Sequence, residues 1–108
     1  MISYEEFRKL DIRIGKILKA ERIEGTDKLL RLEVDLGTEI GVRQIIAGIA
    51  QFYEPEKLIG REIPILANLE PRVLRGVESQ GMLLAADNAS APVLFSPDSE
   101  VPPGSIVK

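Results

Sequence analysis

Apolar positions along the chain change their spacing several times, and each change marks an element. Tyr4, Phe7 and Leu10 recur three apart, following Ser3-Tyr4-Glu5-Glu6. Ser and Glu at that separation fit a capping box, with the Ser3 hydroxyl accepting from the Glu6 N–H and the Glu6 carboxylate from the Ser3 N–H. A short helix reaching Lys9, apolar along one edge, is predicted. From Asp11 the period becomes two: Ile12 and Ile14, then Ile17 and Leu18, are interleaved with Arg13, Lys16 and Lys19, as in a strand with one wet face. Gly15 within it predicts a bulge or bend.

After the turn residues Gly25-Thr26-Asp27-Lys28, Leu30, Leu32, Val34 and Leu36 alternate with Arg31, Glu33 and Asp35, the clearest strand of the chain. Gly37 to Gly41 forms a glycine-bounded connection and Val42 to Ile49 a third strand, so these two pair as a hairpin. Glu54-Pro55-Glu56-Lys57-Leu58-Ile59-Gly60 has Pro and acids early and Gly late, the order of a one- or two-turn helix. Ile63 to Leu69 is a fourth strand. Gly81 to Ala86 is a fifth, whose nearly unbroken apolar run predicts a central position. Beyond Asp87 only Val93-Leu94-Phe95 and Ser105-Ile106-Val107 break a Pro/Ser/Ala-rich stretch. The pattern predicts an all-β protein, a five-stranded OB-fold barrel with a small helix between strands three and four. Its parts are an N-terminal helix over residues 1–10, the barrel over 11–87 and a C-terminal extension over 88–108.

At 108 residues the chain supports one core, large enough to be stable without metal or disulfide staples. It contains no Cys and no His, which removes disulfides, Cys/His zinc sites, thiol nucleophiles and every triad with an imidazole base. The expectation is a protein that is not an enzyme, with no cofactor and no metal. Fourteen basic against seventeen acidic residues leave a net charge of −3, so any site for a polyanion must be local. No run approaches the ~20 apolar residues of a membrane span, and Met1-Ile2-Ser3-Tyr4-Glu5-Glu6 lacks the pattern of a signal peptide. A cytoplasmic location and no membrane partner are expected. Gly76 and Gly81 have the spacing of a phosphate-binding loop, but Met82 and Leu83 stand where that loop needs Lys and Ser/Thr.

The chemistry concentrates in Asn68 to Met82, where Asn68, Arg72, Arg75, Ser79 and Gln80 share a loop between two apolar strands. Loops held by rigid strands commonly carry binding groups. The two arginines suit bidentate contacts to phosphates or sugar edges. Equally, they suit ion pairs with Glu70 and Glu78, while Asn68 and Ser79 close turns. Arg43 and Gln44 open the third strand, and alternation turns one of them outward. The aromatics, at Tyr4, Phe7, Phe52, Tyr53 and Phe95, leave strands two to four without a stacking platform. That disfavours generic single-strand binding and is compatible with folded RNA read by shape and backbone.

Asp11-Ile12-Arg13-Ile14-Gly15, Asp27-Lys28-Leu29-Leu30, Val34-Asp35, Arg43-Gln44-Ile45-Ile46, Gly48-Ile49, Asn68-Leu69 and Arg75-Gly76-Val77-Glu78-Ser79-Gln80-Gly81-Met82 together resemble the tRNA-binding domain family. That family includes the C-terminal domain of many methionyl-tRNA synthetases, stand-alone dimeric tRNA-binding proteins and the endothelial monocyte-activating polypeptide II group. The resemblance implies an OB-fold that holds the outer corner of tRNA by shape, without chemistry, and helps a methionyl-tRNA synthetase catalytic chain retain its tRNA. It places RNA contacts on Arg43, Asn68, Arg72, Arg75, Ser79, Gln80 and Met82. Phosphates fall to the arginines, sugar or base edges to Asn68, Ser79 and Gln80, and shaping of the loop to Met82. It also implies a homodimer, with Asn88–Lys108 and the Tyr4, Phe7, Leu10 edge as candidate interface. Glu70 stands where the family commonly has Lys, which lowers the expected affinity for phosphate. The Csa-type export chaperone, which binds unfolded polypeptides, shares the barrel and is the alternative. The Glu78-Ser79-Gln80-Gly81-Met82 block favours the synthetase branch.

Overall fold

The computed structural model describes residues 1–108. Ser3 caps helix α1 (Tyr4–Phe7) with the expected capping box, both of its hydrogen bonds at 3.2 Å. The helix is a single turn, shorter than the apolar spacing suggests. Leu10 still donates to the Phe7 carbonyl, so the apolar edge is continued by turns.

Five strands build a nearly closed antiparallel barrel in the order β3 (Val42–Ala47), β2 (Leu30–Asp35), β1 (Ile12–Arg22), β4 (Glu62–Leu66), β7 (Met82–Leu83). The alternation in β2 is reproduced residue for residue: Leu30, Leu32 and Val34 are wholly buried and Arg31, Glu33 and Asp35 are not. With Ile17, Ile45, Ile63 and Ile65 they form the barrel core, and Leu58, after the 3-10 turn Pro55–Lys57, packs into the same cluster. Between β2 and β3 the connection folds into one helical turn, α2 (Gly37–Ile40), bounded by Gly37 and Gly41, both at positive φ.

Three local expectations are corrected. The register break in β1 lies between Ile17 and Lys19 rather than at Gly15. Ile17 therefore points inward and its apolar neighbour Leu18 stays exposed. Gly15 serves a close approach, since a Cβ there would sit 2.3 Å from Val34 Cγ1. Strand β3 stops at Ala47, although Ile49 and Ala50 remain in the core. The apolar run from Gly81 is not a central strand. Only Met82 and Leu83 pair, along the outer side of β4, and Ala85 and Ala86 are exposed.

Residues beyond Asp87 bond back onto the barrel. Strands β8 (Ala86–Asn88) and β9 (Ala91–Val93) form a hairpin, after which Leu94 enters the core. The Val101 N–H donates to the buried Glu62 carboxylate at 2.9 Å. Strand β10 (Ser105–Ile106) pairs with the start of β1, flanked by bonds from the Gly104 and Val107 N–H groups to the Ile14 and Ile12 carbonyls. At the other face of this segment a Cβ on Gly104 would lie 2.4 Å from the Leu36 carbonyl.

Candidate nucleic-acid interface

The segment read as a loop is a β-hairpin. Strands β5 (Arg72–Leu74) and β6 (Val77–Ser79) pair through Arg72 with Ser79, Val73 with Glu78 and Leu74 with Val77. Arg75 and Gly76 make the two-residue tip, with φ of 54° and 79°. Two successive positive φ values are the signature of the hairpin turn whose twist matches its strands, a position that usually selects Asn-Gly. An arginine held there costs roughly 1 kcal/mol or more.

The hairpin is fastened to β3 by side chains where a barrel would otherwise need a ladder. The Gln80 N–H donates to the Gln44 carbonyl (2.8 Å), and the Gln44 N–H donates back to the Gln80 side-chain carbonyl (2.9 Å). One residue pair further on, the Ile46 N–H donates to Ser79 Oγ (2.9 Å), whose own hydroxyl donates to the Gly81 carbonyl (3.0 Å). Gln44 Nε2 reaches the Glu78 carbonyl at 2.7 Å. Ser79 and Gln80 thus act as the missing backbone partners of an edge strand, which otherwise leaves unpaired donors and acceptors. Arg43 completes the seam by donating to the carbonyls of Gln80 (3.1 Å) and Ala67 (3.3 Å). Asn68 ties the N-terminal segment down, accepting from the Asp11 N–H (2.9 Å) and donating to the Lys9 carbonyl (2.7 Å). Arg13, two residues on, is buried between Asp11 (2.8 Å) and Glu39 (3.2 Å), and these hydrogen bonds hold its guanidinium charged well above the ordinary arginine range.

Of the residues singled out in the sequence, Arg43, Ser79 and Gln80 are therefore brought together, but with their polar groups engaged internally. Asn68 is engaged elsewhere. Arg72, Arg75 and Met82 are exposed, and the pairing of the two arginines with Glu70 and Glu78 does not form. Among the other cations, Arg8, Arg13, Lys16, Lys19, Arg31 and Lys57 face carboxylates, and Arg22 donates to the Ala50 carbonyl. Around the hairpin three cations make no such contact: Arg72, Arg75 and Lys28. Lys28 lies in the Asp27-Lys28-Leu29-Leu30 block quoted for the resemblance but was not singled out as a contact; the fold brings the Gly25–Leu29 turn beside the hairpin tip. Two hollows flank the hairpin and share Leu74 as a wall. One runs between Arg72, Met82 and the end of β3. The other lies between Arg75 and the turn carrying Lys28.

A family model described as "Putative tRNA binding domain" matches residues 12–106. The chain is 56% identical over 104 residues to a methionine–tRNA ligase of Methanothrix thermoacetophila, covering 96% of this chain and 15% of that enzyme. To the methionine–tRNA ligase of Pyrococcus furiosus it is 51% identical over 107 residues, covering 99% and 14%. The chain thus spans a small part of the length of these relatives. Among solved structures it is similar over its whole length to a MetRS related protein from Pyrococcus horikoshii, with a TM-score of 0.93, 38% identity and 98% of that chain covered. The chaperone CsaA from Bacillus anthracis is also similar over the whole chain, with a TM-score of 0.89, 35% identity and 99% of that chain covered.

Proposed function

The chain belongs to the tRNA-binding domain family, and on that premise we propose that it holds the outer corner of tRNA by shape, performing no chemistry, as the tRNA-binding part or beta subunit of a methionyl-tRNA synthetase. Its partners on this reading are tRNA, the synthetase catalytic chain and a second copy of itself, in the cytoplasm. The observation that carries the reading is electrostatic. In a chain of net charge −3, two guanidiniums without a carboxylate partner, those of Arg72 and Arg75, stand exposed on one hairpin. Such groups suit phosphate oxygens, which position a protein on RNA without reading its sequence.

Within this reading Arg72 and Arg75 contact phosphates and Met82 forms the wall of the adjoining hollow. Arg43, Asn68, Ser79 and Gln80 act from behind, with Arg43, Ser79 and Gln80 fixing the hairpin to β3 and Asn68 holding the N-terminal segment against the turn after β4. Pre-organisation of this kind reduces the ordering cost of binding.

The test is a titration of folded tRNA against an unstructured RNA of equal length, at low and moderate salt. Preference for the folded RNA, with a log–log salt slope of roughly −0.9 per duplex phosphate neutralised, supports the reading. Absence of binding to either RNA at low salt overturns it. Similarity to a chaperone over the whole chain, with a largely apolar hollow beside Arg72, favours one second reading, capture of unfolded polypeptide. Salt-insensitive binding of an unfolded chain would select it.

A further inference from the structure

We propose that the β5–β6 hairpin is a latched flap, which swings open as one unit while the rest of the barrel stays folded. Its attachment to the barrel is polar. No apolar side chain of the hairpin belongs to the buried cluster or is packed against it. Val73 is 69% exposed, and Ser79 is the one buried residue from Arg72 to Ser79. The hydrophobic term that holds β1, β2 and β4 together therefore does not hold the hairpin. Along the seam with β3 one backbone pair alone is bonded, the Gln80 N–H to the Gln44 carbonyl at 2.8 Å. The other bonds run through side chains: those of Gln80 and Ser79 accept from the Gln44 and Ile46 N–H groups, while Gln44 Nε2 donates to the Glu78 carbonyl and Arg43 to that of Gln80. Each such bond is worth roughly two- to tenfold in an equilibrium constant. Together they keep the hairpin closed without joining it to the core.

The chain on either side of the hairpin is built to pivot. Asn68 is fixed to Lys9 and Asp11 by its side chain, and β7 is fixed to β4 through the pairing of Met82 with Leu66. Between these anchors and the hairpin, Leu69-Glu70-Pro71 make no backbone hydrogen bond, and Gly81 takes a φ of 143°, a conformation that glycine alone adopts readily. Hinges are a few such residues at the ends of elements, where a change in φ and ψ is absorbed. The hairpin keeps its shape as it moves, since the pairs Arg72 with Ser79 and Leu74 with Val77 lie within it. Closed, it presents Arg72 and Arg75 at a fixed place on the barrel. Open, it carries both away and bares the outer edge of β3 at Gln44 and Ile46. The motion belongs to the fold and does not depend on what the hairpin binds.

The test is amide hydrogen exchange of the 108-residue chain, followed by NMR over a series of low urea concentrations. The Gln44, Ile46 and Gln80 N–H groups report on the seam. The N–H of the fully buried Ile17, bonded to the Arg61 carbonyl at 2.9 Å, reports on the barrel. The three seam amides are expected to share one protection factor, roughly tenfold or more below that of Ile17, and one smaller urea slope, as for an opening that exposes little surface. Gln44→Ala removes the bond to Glu78 but leaves the partners of the Ile46 and Gln80 N–H groups in place. All three seam amides should then lose protection by one common factor, roughly two- to tenfold. Ile63→Val weakens the core at a fully buried position of β4 and should lower the protection of Ile17 by roughly two- to tenfold while sparing the seam, because the core stays packed when the flap opens. Protection and urea slope at the seam equal to those of Ile17 overturn the flap, since the hairpin would then open only with global unfolding. A response to Gln44→Ala that leaves Ile46 unaffected overturns it as well, since the seam bonds would then break one at a time.

Discussion

A single hydroxyl carries much of the closure of the barrel. Ser79 is buried, and its oxygen is the sole partner of the Ile46 N–H and a donor to the Gly81 carbonyl. Ser79→Ala leaves a buried donor unsatisfied, which costs about 1–3 kcal/mol. The urea midpoint should fall with the slope unchanged, and tRNA affinity should fall with it as the hairpin loosens. Arg75→Asn should separate the two properties. It relieves the positive φ, so the melting temperature should hold or rise by the equivalent of up to ~1 kcal/mol, while affinity drops. A melting temperature that falls as steeply as for Ser79→Ala would assign Arg75 a folding role. The sequence singled out Ser79 and Gln80 as candidate contacts but could not show that their side chains fasten the hairpin to β3. A side chain that replaces a ladder partner has no periodic signature, because its partner lies more than thirty residues away in β3.

At the scale of elements, alternation was readable wherever one face of a strand meets the core and the other meets water. That is why β2 matched residue by residue and why the β2–β3 hairpin was legible. The run Met82-Leu83-Leu84-Ala85-Ala86 misled because a short strand on the outer side of β4 beside a hollow is as apolar as a central one, and composition does not distinguish them. Gly15 was read as a bulge or bend, and the bulge lies instead between Ile17 and Lys19. Its actual constraint is the crowded inner face beside the paired strand β2, where a Cβ would meet Val34 Cγ1 at 2.3 Å and Leu36 Cδ2 at 2.9 Å, both side chains being fully buried. Gly15→Ala should therefore destabilise by about 1–3 kcal/mol through overpacking, seen as a lower denaturation midpoint. An unchanged midpoint would mean that Val34 and Leu36 can shift aside at this position without cost.

At the scale of the molecule, one edge remains for which the monomer provides no cover. Ile106 in β10 is 61% exposed, Val107 bonds beside Ile12, and Ile106, Val107 and Phe95 line one largely apolar hollow. Strand β10 pairs with β1 on one side only, and an exposed edge strand carrying apolar side chains is a ready template for a second strand. A second copy meeting it about a twofold axis would bury the same patch on both chains and give one particle two hairpins. Two sites on one particle raise avidity without new contacts if one RNA or its neighbours can reach both, which on the proposed reading would offset the carboxylate of Glu70, close to Arg72 in the chain. Removing the C-terminal segment would not test this, since Leu94 belongs to the core and Glu62 would lose its Val101 partner. Ile106→Lys is the cleaner change, because it leaves the backbone pairing intact and puts a charge on the exposed patch. Sedimentation of the parent at about 10 µM should give the mass of two chains and that of Ile106→Lys the mass of one, with melting still cooperative. The variant should keep its preference for folded tRNA and lose only the part of the affinity that depends on two hairpins. A parent that sediments as one chain would leave each hairpin to act alone, and the weak charge balance around it would then set the affinity by itself.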